Sequence, residues 1–352
     1  MDINTLYQQY DFNSLEEQTN NLFPDWNISL DNMFQEILEG DITEVFSKLL
    51  DTLGQNLAGE VGGFKTIFIS LLLVGIISAV CTNLSGLFAQ HQLSDCGFYV
   101  CYLIMIIFLT KVATYVYSVT AGTMESVVTF LKLFLPTYFL TVGVSGGSLT
   151  AMSFYNIFML AVFGVEMLLI GVVLPGIGCY MILCIVNGIW KEEKLEILID
   201  LLKKGISFIL KTLIALVSGT GLLQAMITPV IDAAKNTSIQ KAISIIPGLG
   251  DLAGSASQIL LGSAVLIKNA AGIVMVIILF LLCILPLLKL FCVMAVMKGS
   301  AALMGMVADK RMTGCTNRMG DGVLLLFQTM LTSITFFLVL VSILAFTCNR
   351  GF

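Results

Sequence analysis

Four ionisable side chains interrupt long apolar runs of this sequence: Lys111, Lys132, Glu166 and Lys289. At membrane depth such groups cost roughly 2.5–3.5 kcal/mol on insertion scales unless they are paired, hydrated or able to snorkel. One acid among three bases points to an ion pair between Glu166 and a lysine; a proton relay at Glu166 is the alternative chemistry. Lys289 follows Pro286 in CILPLLKLF, where proline frees a carbonyl and kinks the helix. A cation beside a kink lines a passage or marks a helix tilted for packing. A second group lies upstream, where Gly250, Gly254 and Gly262 recur at multiples of four around Asp251, with Lys268 and Asn269 further on. Small-xxx-small spacing lets helix backbones approach closely in lipid, and it leaves assembly into a homo-oligomer open. Residues 255–271 are apolar enough to re-enter the bilayer, which non-helical backbone tolerates only against protein or a water-filled cavity. The segment is then a lining or gating element, or else a capped external helix pair whose Lys268 snorkels to the headgroups.

Other chemistry is hard to build from these residues. The sequence contains no HExxH or GxxxxGK[ST] pattern, and His91 is its single histidine, so no enzymatic activity is expected. Nine cysteines fall mostly inside apolar segments without a CxxC pair, which argues against a disulfide scaffold and against zinc. No cofactor is expected. Basic clusters adjoin apolar spans without interleaved aromatic residues, so nucleic acid is not an expected partner and membrane topology is the simpler reading.

The elements that hold these side chains must lie in a membrane. With 57% hydrophobic and 12% charged residues, the chain departs from the soluble average of about 25% charged and would carry large sticky surfaces in water. The run from Gly272 to Val296 holds a single charge, Lys289, and at about 1.5 Å per residue is longer than a hydrocarbon core of about 30 Å. The fold class expected is an all-α polytopic bundle of seven or eight spans over residues 64–352. Candidate spans are Thr66–Ala89, Gly97–Thr120, Val127–Val144, Ala151–Leu174, Ile177–Trp190, Ile206–Thr228, Gly272–Val296 and Val323–Phe346, with a break or re-entrant piece among the third to fifth. Leu195, Leu198, Ile199 and Leu202 share one face of Trp190–Gly205, as in an amphipathic helix lying at the interface.

Charge orients the bundle. Lys191, Lys194, Lys203 and Lys204 form one basic connection and Lys298, Lys310, Arg311 and Arg318 another, so both are expected on the cytoplasmic side. Residues 1–63 hold twelve acids and only Lys48, a net charge of −11, whereas the remainder holds eleven acids against seventeen basic residues, a net charge of +6. The Lys/Arg-poor head is expected outside, as two or three short amphipathic helices with capping-box spacing at Ser14/Glu17 and Asp41/Glu44. No export signal with a basic and then an apolar region is evident in Met1–Gln9.

The stretch AISIIPGLGDLAGSASQILLGSAVLIKNAAG, the following ILPLLKLF, the DKR of Asp309–Arg311 and the GDG of Gly320–Gly322 together resemble the stage III sporulation protein AE family. Specific motifs are confined to the C-terminal third; the acidic head and many spans match in outline. The resemblance implies a polytopic protein of the mother-cell membrane around the engulfed forespore. It also implies partners: the other membrane proteins of an eight-member complex that, with a forespore-membrane protein, forms a channel or feeding tube needed for late forespore gene expression. Membrane lipids are the remaining partner expected. A secondary transporter with Glu166 at its core is the competing function, and it predicts inverted repeats that the two halves do not display.

Overall fold

A computed structural model describes residues 62–80, 91–142, 148–190, 194–216 and 250–349, together with the isolated positions 54 and 59. The acidic head, the link 81–90 and residues 217–249 lie outside it, and with them the expected head helices, the end of the first span and most of Ile206–Thr228. Among the described residues the secondary structure is entirely helical. The helices are α1 (Gly62–Val80), α2 (His91–Val142), α3 (Ser148–Leu168), α4 (Leu174–Asn187), α5 (196–216), α6 (Gly250–Met304) and α7 (Lys310–Asn349). Among the described residues, five stretches are long and apolar enough to cross a bilayer: Gly62–Val80, Gly97–Pro136, Met159–Asn187, Met275–Met304 and Lys310–Val341.

This corrects the expected division of the chain. The two spans expected at Gly97–Thr120 and Val127–Val144 form the single 52-residue helix α2, because the polar link between them does not break the helix. Thr120 and Thr123 return their hydroxyls to the carbonyls of Val116 and Val119 at 2.8 and 2.7 Å, so these side chains satisfy themselves within the helix. The spans expected at Ala151–Leu174 and Ile177–Trp190 are likewise continuous. A π turn, Leu169–Val173, joins α3 to α4, with the Leu174 N–H donating to the Leu169 carbonyl. That wider turn falls immediately before Pro175 at the start of α4, which has no N–H to give, so the proline is absorbed rather than ending the helix. The expected interfacial helix ending at Gly205 runs without interruption into the next segment as α5. Residues 255–271 are the first half of α6, which continues as α-helix through Pro286 to Met304; no separate re-entrant or capped element exists there.

Packing gives the helices their directions. Tyr102 meets the α4 terminus at Ile185, Tyr117 lies against Gly178 and Lys132 meets Glu166, so α2 runs antiparallel to the continuous α3–α4 rod. α6 and α7 form the most extensively packed pair, an antiparallel hairpin closed by Gly305–Asp309, in which the Gly305 and Ala308 N–H groups donate to Ala301 and Met304. α1 runs alongside the last part of α6 in the same direction: Phe68 lies against Gly299, and Gly75 lies so close to Met304 that a Cβ there would come within 2.8 Å of its Cγ. The core along these contacts is aliphatic, aromatic and methionine-rich, with Met105, Leu131, Ile177, Leu279, Met297 and Leu326 fully buried. Outward faces of α1, α3 and α4 are also apolar, with Leu73, Ile77, Phe163, Met167 and Ile182 all more than half exposed, as lipid-facing helices require.

Candidate functional site

The ends of α2, α4, α6 and α7 and the start of α5 converge at one end of the bundle in a polar junction. Its centre is Asp321, on α7. Asp321 Oδ1 accepts from Lys298 Nζ of α6 at 2.5 Å, and Oδ2 accepts from Lys203 Nζ of α5 at 2.9 Å. Lys298 donates further to the Asn317 side chain at 2.7 Å and to its carbonyl at 3.1 Å. Two turns of α7 therefore grip one ammonium group. Beside them, Arg318 Nη2 meets Glu196 Oε1 of α5 at 3.0 Å, and Tyr180 of α4 donates to the Arg318 carbonyl at 3.3 Å.

The flanking glycines explain how a carboxylate reaches between three helices. A Cβ on Gly320 would stand 3.1 Å from the Lys298 stem, and one on Gly322 would meet Met181 at 2.8 Å. Glycine at both positions lets α7 approach α6 on one side and α4 on the other, with Asp321 between. The motif Gly320–Asp321–Gly322 is thus a close-packing device around an acid that holds two lysines.

The neighbouring DKR segment begins α7. Asp309 is the N-cap residue, accepting from the Arg311 backbone N–H at 2.8 Å while its own carbonyl receives the Thr313 N–H at 3.1 Å, which satisfies amides that an uncapped helix start leaves open. The same carboxylate receives the Arg311 guanidinium at 3.3 Å through both oxygens. Held there, the guanidinium lies 3.4 Å from the Phe98 ring centroid, a cation–π contact that ties α7 to α2. Phe98 in turn stacks on Tyr102, whose hydroxyl donates to the Ile185 carbonyl at 2.6 Å. A Cβ on Gly188 would lie 2.2 Å from that hydroxyl, so glycine is required where α4 ends. Asn187, almost fully buried, accepts the Leu195 N–H at 2.9 Å and positions the chain entering α5.

The residues singled out from the sequence are distributed differently. Glu166 is paired as expected, with Lys132 at 2.7 Å, but far from the junction; Lys289 is half-buried on α6, three residues after Pro286. Gly250, Asp251, Gly254, Gly262, Lys268 and Asn269 all lie on the first half of α6, and their side chains are outside the described set. Sequence reasoning missed Asp321, Asn187, Gly188 and Tyr102. Only Asp321 carried a signal, through the GDG triplet. Among the described residues no three His, Cys, Asp or Glu side chains come together as a metal site.

Among the described residues, long apolar helices knotted at one end by ion pairs, helix caps and glycine contacts define an all-helical protein with five stretches suited to spanning a membrane. The chain belongs to the stage III sporulation protein AE family, whose profile matches residues 28–348, and its role therefore lies in sporulation. It is 22% identical over 311 residues to stage III sporulation protein AE of Bacillus subtilis strain 168, covering 88% of this chain and 78% of that protein. No solved structure matches it.

Proposed function

We propose that the protein is an assembly component of a sporulation channel in the mother-cell membrane around the forespore, with the junction on the mother-cell side and the acidic head between the two membranes. The observation that carries this reading is the family match across residues 28–348. The polar junction supports it by showing what the charged residues are engaged in: holding helices together. Lys203 and Lys298 belong to the two separate basic connections, yet they share one carboxylate, so both connections lie at the same end of the bundle. An excess of Lys and Arg at one end is the mark of a cytoplasmic face. α1 runs in the direction of that end, which supports a head on the opposite side.

The remaining sequence candidates keep their roles within this reading. Gly250, Gly254 and Gly262 provide a close-packing face on the first half of α6 for another subunit of the complex or a second copy, and Asp251, Lys268 and Asn269 lie along that same stretch. Glu166 acts as a structural partner of Lys132. Deleting the gene in its native host tests the proposal: sporulation is expected to stop after engulfment while vegetative growth stays normal. Spores formed at wild-type yield would overturn it.

A further inference from the structure

The middle of α2 turns a polar line outward from the bundle. Between Lys111 and Lys132 its exposed residues are Thr114, Ser118, Gly122, Glu125 and Thr129. Their spacing of three or four residues draws one line along a helix of 3.6 residues per turn. Among the described residues no large hydrophobic side chain between Ile107 and Leu160 is exposed. The opposite face of α2 is buried, at Val112, Val116, Val127 and Leu131, so its contacts with the rest of the bundle are already made.

Contacts with neighbouring helices fix what lies beside that line. α2 and α7 run in the same direction, with Phe98 against Arg311 and Met105 against Thr316, so Lys111 lies close to the level of Asp321 and the polar junction. At the far end Lys132 pairs with Glu166, and between the two lysines Tyr117 lies against Gly178. Glu125 is therefore level with the π turn of the α3–α4 rod, where Val172 and nearby Met167 are more than half exposed. Lipid meets the rod at that height. At the same height α2 turns out a carboxylate that has no ion-pair partner among the described residues. Acids at such levels pair with a base or face water, because facing lipid is strongly disfavoured.

We propose that this line of α2 is the docking face for a transmembrane helix of another protein, one that sets a lysine or arginine against Glu125 and small side chains against Gly122, Ser118 and Thr114. No atom stands within 4 Å of a Cβ built on Gly122. With Ser118 and Thr114 it repeats small residues every fourth position, the spacing that brings helix backbones close in a membrane, and the hydroxyl oxygens accept hydrogen bonds across such a contact. A second copy of this chain does not fit. Copies sit the same way up in the membrane, so a two-fold contact between these faces opposes Glu125 to Glu125 and Lys111 to Lys111. An offset contact meets α3 or α4, which contain no lysine or arginine. The inference rests on charge and exposure along α2 and is independent of the role in sporulation.

The test is photo-cross-linking of the full-length protein in membranes of its native host. Benzoylphenylalanine in place of Ser118 or Thr129 is expected to give an adduct with a different membrane protein, mapped by mass spectrometry to a transmembrane segment that carries Lys or Arg. The same probe in place of Met167 or Val172 is expected to give lipid adducts only. Glu125→Lys is expected to lower the protein adduct roughly tenfold at unchanged membrane abundance, and replacing the mapped base by Glu is expected to restore it. Glu125→Gln, the isosteric change, reads the same contact where the reversal lowers abundance. Adducts from position 118 confined to lipid would overturn the proposal, as would an adduct within this chain or with a second copy. A partner adduct that is indifferent to both Glu125 variants would overturn it as well.

Discussion

Lys203 and Lys298 bind the two oxygens of a single carboxylate, that of Asp321, at 2.9 and 2.5 Å. One comes from α5 and the other from near the end of α6, and Asp321 lies 118 residues from the first and 23 from the second. One acid thereby fixes the relative height of α5, α6 and α7.

Replacing Asp321 with Ala leaves two ammonium groups facing each other without their anion. Hydrogen bonds to charged groups contribute roughly 1.5–3 kcal/mol each, but both lysine side chains are a third or more exposed, at 40% and 34%, so solvent screens part of this. A loss of about 1–3 kcal/mol for the pair of contacts is expected, read as a lower unfolding temperature in detergent and lower membrane abundance. Combining Asp321→Asn with Lys298→Met is expected to lose less than the two single changes added together, as coupled sites do.

Gly188→Ala is expected to destabilise the protein more than Tyr102→Phe. The first drives a methyl into the Tyr102 hydroxyl, 2.2 Å from the ideal Cβ position, an overpacking worth about 1–3 kcal/mol. The second removes only the bond to Ile185, about 0.5–1.5 kcal/mol. Thermal unfolding of both variants orders them directly.

Glu166 and Lys132 separate packing from proton relay. The pair is partly exposed, at 27% and 43%, and an exposed ion pair is worth about 0–1 kcal/mol in water, more next to lipid. Exchanging the charges, Lys132→Glu with Glu166→Lys, is expected to restore the abundance and spore yield lost in either single variant. A function that depends on a carboxylate at position 166 stays lost in the exchange.

Arg311→Lys tests the stacking on Phe98. Lysine keeps the charge but loses the planar fork and much of the ring contact; a cost of about 0.5–2 kcal/mol is expected, measured as a fall in unfolding temperature that Phe98→Leu does not add to.

What the sequence disclosed follows from what hydropathy and charge report. A lone acid among lysines in apolar surroundings had to find a partner, and Glu166 did so with Lys132. Basic connections had to lie on one side, and Asp321 draws Lys203 and Lys298 together. Helix continuity was hidden, because a polar link such as Ala121–Ser126 resembles a loop until the hydroxyls of Thr120 and Thr123 are seen bonding back into their own helix, and Pro175 resembles a stop until a π turn precedes it. Asp321 was hidden for a different reason. Its two lysines are brought to it only by tertiary packing, and nothing local distinguishes it from a solvated acid beyond the glycines on either side.

The central claim is that both basic connections lie at one cytoplasmic end of a membrane bundle. Lys204→Cys and Lys310→Cys place exposed thiols on the two connections, and labelling them with an impermeant maleimide in intact protoplasts and in inverted vesicles tests the claim directly. Both are expected to be protected in protoplasts and labelled in inverted vesicles. Labelling of one from each side would contradict the account.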